Sequence, residues 1–180
     1  MTFFRPSQKV LETICDGELY SQYITIPLEG QSNKTLEEGL TSFLNGLLYQ
    51  IASHYRWNKV GKRLDTEMNT QKIVIVWEAM TNAIAHGSKR KDPVTIGLFL
   101  GNKGACYGFK DSGDYFKRDE IKEIYENKQP IQNFGEAIEG LSGCHAGVNC
   151  YIFKNSDLIE VDTLEGVLYC VQLKSSLKVQ

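Results

Sequence analysis

Alternating apolar runs come in close pairs in this chain, and that pairing constrains its fold more than any other feature. Val94, Ile96, Leu98 and Leu100 share one side of an extended segment, and Gly101-Asn102-Lys103-Gly104 turns the chain back into a second run at 105–110. A second pair, at about 157–163 and 167–174, flanks a turn containing Gly166. Between these pairs the periodicity is helical. Strands therefore adjoin in sequence and helices are grouped, which excludes a doubly wound parallel sheet, where the two alternate singly. The expected fold is α+β: a two-layer sandwich with one mixed, mostly antiparallel sheet covered by helices on one face.

The remaining elements follow from local patterns. Ile24, Ile26 and Leu28 alternate over 22–28, and Pro27 marks that strand as an edge. Thr35-x-x-Glu38 has the form of a capping box, and Leu36, Leu40, Phe43, Leu44, Leu47, Leu48 and Ile51 continue at helical spacing to about residue 56. Polar residues 58–66 connect to a second helix over about 67–86, which stops at Gly87 in the usual helix-ending position. A short charged surface helix is expected over 117–128, a glycine-rich stretch over 129–147 and a third helix over about 146–155.

Composition narrows the class. The 180 residues fit a single domain, with a core of about 20–174. Apolar residues make up 42% and charged residues 23%, so disorder is excluded, and a chain this long buries a full core without disulfides. A net charge of −2 gives no general attraction to nucleic acid or to an anionic membrane. The apolar run Ile73-Val74-Ile75-Val76-Trp77 is far shorter than the ~18 residues of a membrane span. The first residues lack the basic start and apolar centre of a signal peptide. Five cysteines without a C-x-x-C pair read as free thiols in a reducing compartment, so the expected location is cytoplasmic.

Chemistry concentrates on the second helix. Ile73, Val76, Trp77, Met80 and Ile84 form its apolar side. Glu78, Asn82 and His86 stand at successive fourth positions, so they stack along another stripe, beside the small residues Ala79, Ala83 and Ala85. A carboxylate, an amide and an imidazole in one row suit a cleft. The same row also suits a solvated face ending in a histidine favoured by the helix dipole, and spacing alone leaves both open.

The wider pattern goes further. Glu78-Ala79-Met80-Thr81-Asn82-Ala83-Ile84-Ala85-His86-Gly87 resembles the N-box of the GHKL superfamily of ATPases and kinases, and most closely that of the anti-sigma-factor serine/threonine kinases. Asp111-Ser112-Gly113 resembles the start of that family's G1 box, and the glycines of 135–147 stand where its lid and G2 box would be. These motifs cover about 67–173. The resemblance implies a Bergerat-type ATP-binding fold with ATP and Mg²⁺ as cofactors. Glu78 would be the general base, Asn82 would hold Mg²⁺, and His86 would lie beside the nucleotide. Asp111 would accept a hydrogen bond from the adenine amino group, with Gly113 allowing the backbone close to the base. Gly140, Gly143 and Gly147 would bring backbone N–H groups to the phosphates, and 114–139 would be a mobile lid. The implied partner is a regulatory protein substrate or a sigma-factor-like protein, with no direct nucleic-acid or membrane contact and a possible homodimer. Tyr115 stands where the family's G1 box has its last glycine, and Gly140-Leu141-Ser142-Gly143-Cys144-His145-Ala146-Gly147 is more spread than the usual G2 box. Two alternatives therefore remain open: an ATPase or nucleotide switch, and a non-catalytic binding module with degenerate boxes.

Other motifs carry less. His54 in Ser53-His54-Tyr55-Arg56 reads as a helix-end residue. No P-loop pattern occurs, the 140–143 glycines have the wrong spacing for a dinucleotide fingerprint, and Lys89-Arg90-Lys91 reads as a solvated loop.

Overall fold

The computed structural model describes residues 3–55, 74–88, 91–129 and 152–177. The five strands are β1 (Tyr20–Ile26), β2 (Val94–Leu100), β3 (Gly104–Lys110), β4 (Leu158–Asp162) and β5 (Val167–Leu173). They form one sheet in the order β1-β2-β3-β5-β4, and every pairing is antiparallel. The main helices are α1 (Gln8–Ile14), α2 (Asn33–His54), α3 (Val74–Asn82) and α4 (Asp119–Glu126). The α+β sandwich expected from the paired strands is the architecture found. β1 lies at an edge, and Pro27 falls just beyond it, where its missing N–H breaks no ladder bond.

The sheet register explains the core. Ile24, Ile96, Phe109, Leu168 and Val161 lie opposite one another across all five strands. So do Leu98, Tyr107, Cys170 and Ile159 across four of them. These rows face the helical layer, where Leu36, Leu40, Leu44, Leu47, Leu48 and Ile51 of α2 pack with Ile75, Val76, Ala79 and Met80 of α3 and Ile121 and Tyr125 of α4. Every apolar position assigned to α2 is thus in the core, Phe43 partly so. The N-cap is different from the expected one. Ser32, not Thr35, begins α2, and its hydroxyl oxygen accepts the Thr35 N–H at 3.2 Å.

The opposite face of the sheet also has a cover, which the sequence pattern does not announce. Phe4, Val10 and Ile14 pack there on Phe99, Cys106, Val167, Tyr169 and Val171. The row Tyr23, Gly97, Gly108, Tyr169 and Glu160 runs across this face. The paired glycines leave a gap that Phe4 fills, meeting Tyr23 and Tyr169 edge to face at 5.4 and 6.0 Å. A methyl group at Gly108 would come within 2.6 Å of the Phe4 ring, so the glycine makes room for the aromatic plug. Ser7 caps α1 and gives its backbone N–H to Glu160 at 3.0 Å, tying this cover to β4.

Several segments position the later site. His54 ends α2 and donates from Nε2 to the Gly101 carbonyl at 3.2 Å, in keeping with a helix-end role. Residues 114–129, the first half of the expected lid, contain a 3₁₀ turn, Tyr115–Lys117, followed by α4. Ile121 and Tyr125 are buried, and the Glu126 carboxylate accepts the Val161 N–H of edge strand β4 at 3.0 Å. This half is therefore docked on the sheet through an apolar face that its charged surface conceals in sequence. Residues 130–139 lie outside the described residues. Among the described residues, no helix is long and apolar enough to cross a membrane. The thiols of Cys15, Cys106 and Cys170 are free, the last two fully buried.

Candidate functional site

α3 reaches the site through a change of helical pitch. After Asn82 the backbone passes into a π-helical turn, Ala83–Gly87, closed by the Ser88 N–H donating to the Ala83 carbonyl at 2.8 Å. A π turn closes one residue later than an α turn, and such turns gather at functional sites. It also ends the fourfold spacing of the row. Glu78 and Asn82 remain half-buried on α3, while His86 is exposed. Ala79 and Ala83 do not line a cleft beside the row. They are buried in the core, where small side chains let the helix lie close to the sheet. Ala85 is exposed, and Ile73 lies outside the described residues.

The turn delivers Gly87 onto the end of β3. Asp111 is the first residue past that strand, and a methyl group built on Gly87 would lie 1.9 Å from Asp111 Oδ2 and 2.5 Å from Oδ1. Gly87 does not take the left-handed conformation of an ordinary helix-ending glycine. Among the described glycines only Gly30 and Gly166 have positive φ. A side chain at Gly87 would collide with the carboxylate as it stands, bonded to the Gly113 N–H. Gly113 completes the contact: its N–H donates to Asp111 Oδ1 at 2.8 Å, and a methyl group on it would lie 3.0 Å from the Gly87 carbonyl oxygen. The structure thus brings the end of the N-box-like helix directly against Asp111 and Gly113.

Burial acts in the same direction on the two acids. Burial raises the Asp111 carboxyl above its ordinary range, opposed by the Gly113 N–H and the charge of Lys117. Burial also raises Glu78, which favours proton uptake and suits a general base. The His86 imidazole is held below its ordinary value by desolvation. Along the helix, at ~1.5 Å per residue, Asn82 lies roughly 7 Å and Glu78 roughly 13 Å from the Gly87–Asp111 contact. The order along the axis is the Asp111 contact, the Asn82 amide and the Glu78 carboxylate.

The resemblance assigns Mg²⁺ to the Asn82 amide oxygen, on the half-buried side of α3. No group of three or more His, Cys, Asp or Glu side chains among the described residues could hold a metal. An amide oxygen is the kind of donor a hard ion accepts when its other oxygens come from phosphates and water. Gly140, Gly143 and Gly147 lie outside the described residues, so their expected contact with phosphates does too.

Lys117 was not singled out from the sequence, and the turn at Gly166 was, but not its closeness to that lysine. Lys117, on the 3₁₀ turn, pairs with Asp114 at 2.8 Å and acts on the Asp111 carboxylate through its charge. Gly166, with φ +66°, turns β4 into β5 beside that lysine, and a methyl group on it would lie 3.2 Å from Lys117 Cγ. Tyr115, at the place of the missing G1 glycine, packs edge to face on Phe116 and Tyr125 at 5.1 and 6.2 Å. The chain matches no protein-family model, and no curated protein matches it.

Proposed function

We propose that this chain is an ATP-binding domain of the GHKL type, acting in the cytoplasm as a serine/threonine protein kinase of the anti-sigma-factor type on a regulatory protein. The observation that carries the reading is the interlock of Gly87, Asp111 and Gly113. Two motifs that are separate in sequence meet where Gly87 packs on the Asp111 carboxylate and Gly113 on the Gly87 backbone, and the burial of that carboxylate is only partly offset. Asp111 Oδ2 supplies a hydrogen-bond acceptor for the exocyclic amine of adenine, while Oδ1 is held by the Gly113 N–H. Mg²⁺ held by the Asn82 oxygen would neutralise phosphate charge as it shifts during transfer. Glu78, raised by burial, takes the hydroxyl proton of a serine or threonine as that oxygen bonds to the γ-phosphorus. The bond from that phosphorus to the bridging oxygen breaks, and ADP leaves.

A second reading, nucleotide binding without turnover, is favoured by Tyr115. Its ring sits in a cluster with Phe116 and Tyr125, where the family's G1 box has a flexible glycine. The experiment that separates the readings follows γ-³²P from ATP–Mg²⁺ into serine-bearing partner proteins and, in parallel, ADP release by the chain alone. The kinase reading predicts label on a partner serine or threonine. Glu78→Ala is expected to keep nucleotide binding and lose at least 100-fold of any transfer. Normal turnover by Glu78→Ala would remove Glu78 from the mechanism. ADP release without a labelled partner would favour the ATPase, and binding with neither would favour the inert module.

A further inference from the structure

The two edges of the sheet differ in how they meet their surroundings. β4 is closed to further pairing. The Glu126 carboxylate of α4 accepts the Val161 N–H at 3.0 Å, and the strand itself carries Glu160 and Asp162. Charges and a covering element are two ways in which natural sheets keep an edge strand from pairing. β1 has neither. Tyr20-Ser21-Gln22-Tyr23-Ile24-Thr25-Ile26 is seven residues without charge, proline or glycine, rich in aromatic and β-branched side chains. It pairs with β2 along its whole length without a bulge. Among the described residues, no backbone group of β1 bonds to anything outside the sheet. Alternate residues of such an edge strand turn their N–H and C=O outward. Tyr20, Ser21 and Thr25 are exposed. Phe3, 68% exposed, meets Tyr23 edge to face at 5.0 Å, so apolar surface stands beside the middle of this edge.

We propose that β1 is a homodimer interface, where a second copy of this chain adds its own β1 antiparallel to the first, across a two-fold axis at Tyr23. The strand is complementary to itself. An axis perpendicular to the sheet at Tyr23 is the one register that uses all seven residues. It sets Tyr20 opposite Ile26, Ser21 opposite Thr25, Gln22 opposite Ile24 and Tyr23 opposite its own copy. An aromatic residue thus meets a β-branched one, hydroxyl meets hydroxyl and ring meets ring, which are pairs that stabilise a sheet. Roughly six to eight backbone bonds would form. The same axis keeps like faces together, so the helical layers of both copies lie on one side of the joint sheet and both α1 covers on the other. β1 offers no ion pair to a charged peptide, which favours the second copy as occupant. The pairing rests on neither the nucleotide nor the family resemblance.

The test follows the mass of the full chain by sedimentation velocity over a dilution series, without nucleotide. Wild type is expected at twice the 20.4 kDa of one chain, dissociating on dilution. In this register Ser21 faces Thr25 of the copy. Ser21→Lys with Thr25→Lys therefore sets like charges opposite each other at two places, and a monomer is expected. Ser21→Lys with Thr25→Glu sets opposite charges at the same places and is expected to restore the dimer. Circular dichroism of each variant verifies the fold. Hydrogen exchange of wild type supplies a reading that needs no variant: amides of β1 should gain protection as concentration rises. A monomeric wild type at every concentration overturns the proposal and would leave the edge to a strand of another protein. A dimer that survives the two lysines overturns it, because the contact then lies elsewhere. A dimer lost with the two lysines and not regained with the mixed pair overturns it, because the register then fails. Unchanged exchange of β1 amides in a dimeric wild type overturns it as well. None of these readouts involves ATP, so failure here leaves the nucleotide reading untouched.

Discussion

At the scale of single residues, Gly87 and Asp111 hold the account together. Gly87→Ala would place a methyl group within 1.9 Å of Asp111 Oδ2, so the carboxylate at the end of the Asp111 side chain must turn away and give up the Gly113 N–H. It is expected to destabilise the fold by about 2–3 kcal/mol, read by urea unfolding. An effect within about 0.5 kcal/mol would show that the contact relaxes freely. Asp111 adds a pH dependence whose sign follows from its raised carboxyl. The folded state binds that proton more tightly than the unfolded chain, so ionisation of Asp111 costs stability. Its contribution is present below the ordinary carboxylate range and is lost as pH rises through the raised folded value. Asp111→Asn escapes this cost and keeps an acceptor for the Gly113 N–H. It is therefore expected to gain on wild type between about pH 4 and pH 7, measured as unfolding free energy at both values. A relative gain on acidification would contradict the burial of the carboxylate. The sequence made Glu78, Asn82 and Asp111 legible because their types and spacing form a motif. It gave the wrong reason for Gly87, because a collision with a residue distant in sequence looks like a helix-stop glycine until the strand end is in place.

At the scale of elements, the hairpins and α2 were readable because each has a clean period. β2 and β3 keep alternation around a four-residue turn, and α2 repeats its apolar stripe to Ile51. α1 was not readable. Val10, Leu11 and Ile14 supply a single turn of pattern, too little to distinguish a helix from a loop. The π turn was hidden for a similar reason: nothing in Ala83-Ile84-Ala85-His86-Gly87 alters the apolar period enough to announce a wider pitch. α4 was expected as a surface helix in a mobile lid. Its polar face is what sequence displays, whereas Ile121 and Tyr125 fix the helix to the sheet. Ile121→Ala should cost about 2–4 kcal/mol, measured by chemical denaturation. A cost below 1 kcal/mol would mean that α4 is only loosely docked, as a lid would be.

At the scale of the whole molecule, the sheet divides two kinds of packing. The face bearing α2, α3 and α4 carries the long apolar rows and brings the end of α3 to the end of β3. The other face is closed by Phe4 and α1 over the Gly97–Gly108 gap. That arrangement arises only from register, since the two glycines are neighbours across strands and not along the chain. With this second layer the central strands are dry on both faces, and Asp111 and Gly113 extend from a rigid strand end. The near-neutral net charge fits an anionic ligand handled by magnesium and backbone amides, with no need for a basic surface. The central claim is that this strand end and the end of α3 together bind ATP. Thermal unfolding with ATP, with and without Mg²⁺, tests it most directly. Ligand at 100 times its Kd adds about 2.7 kcal/mol, which for a chain of this size raises Tm by roughly 5–10 °C. A rise of that order is expected with ATP–Mg²⁺, a smaller one without Mg²⁺, and none in Asp111→Asn. An unchanged Tm for wild type in millimolar ATP–Mg²⁺ would contradict it.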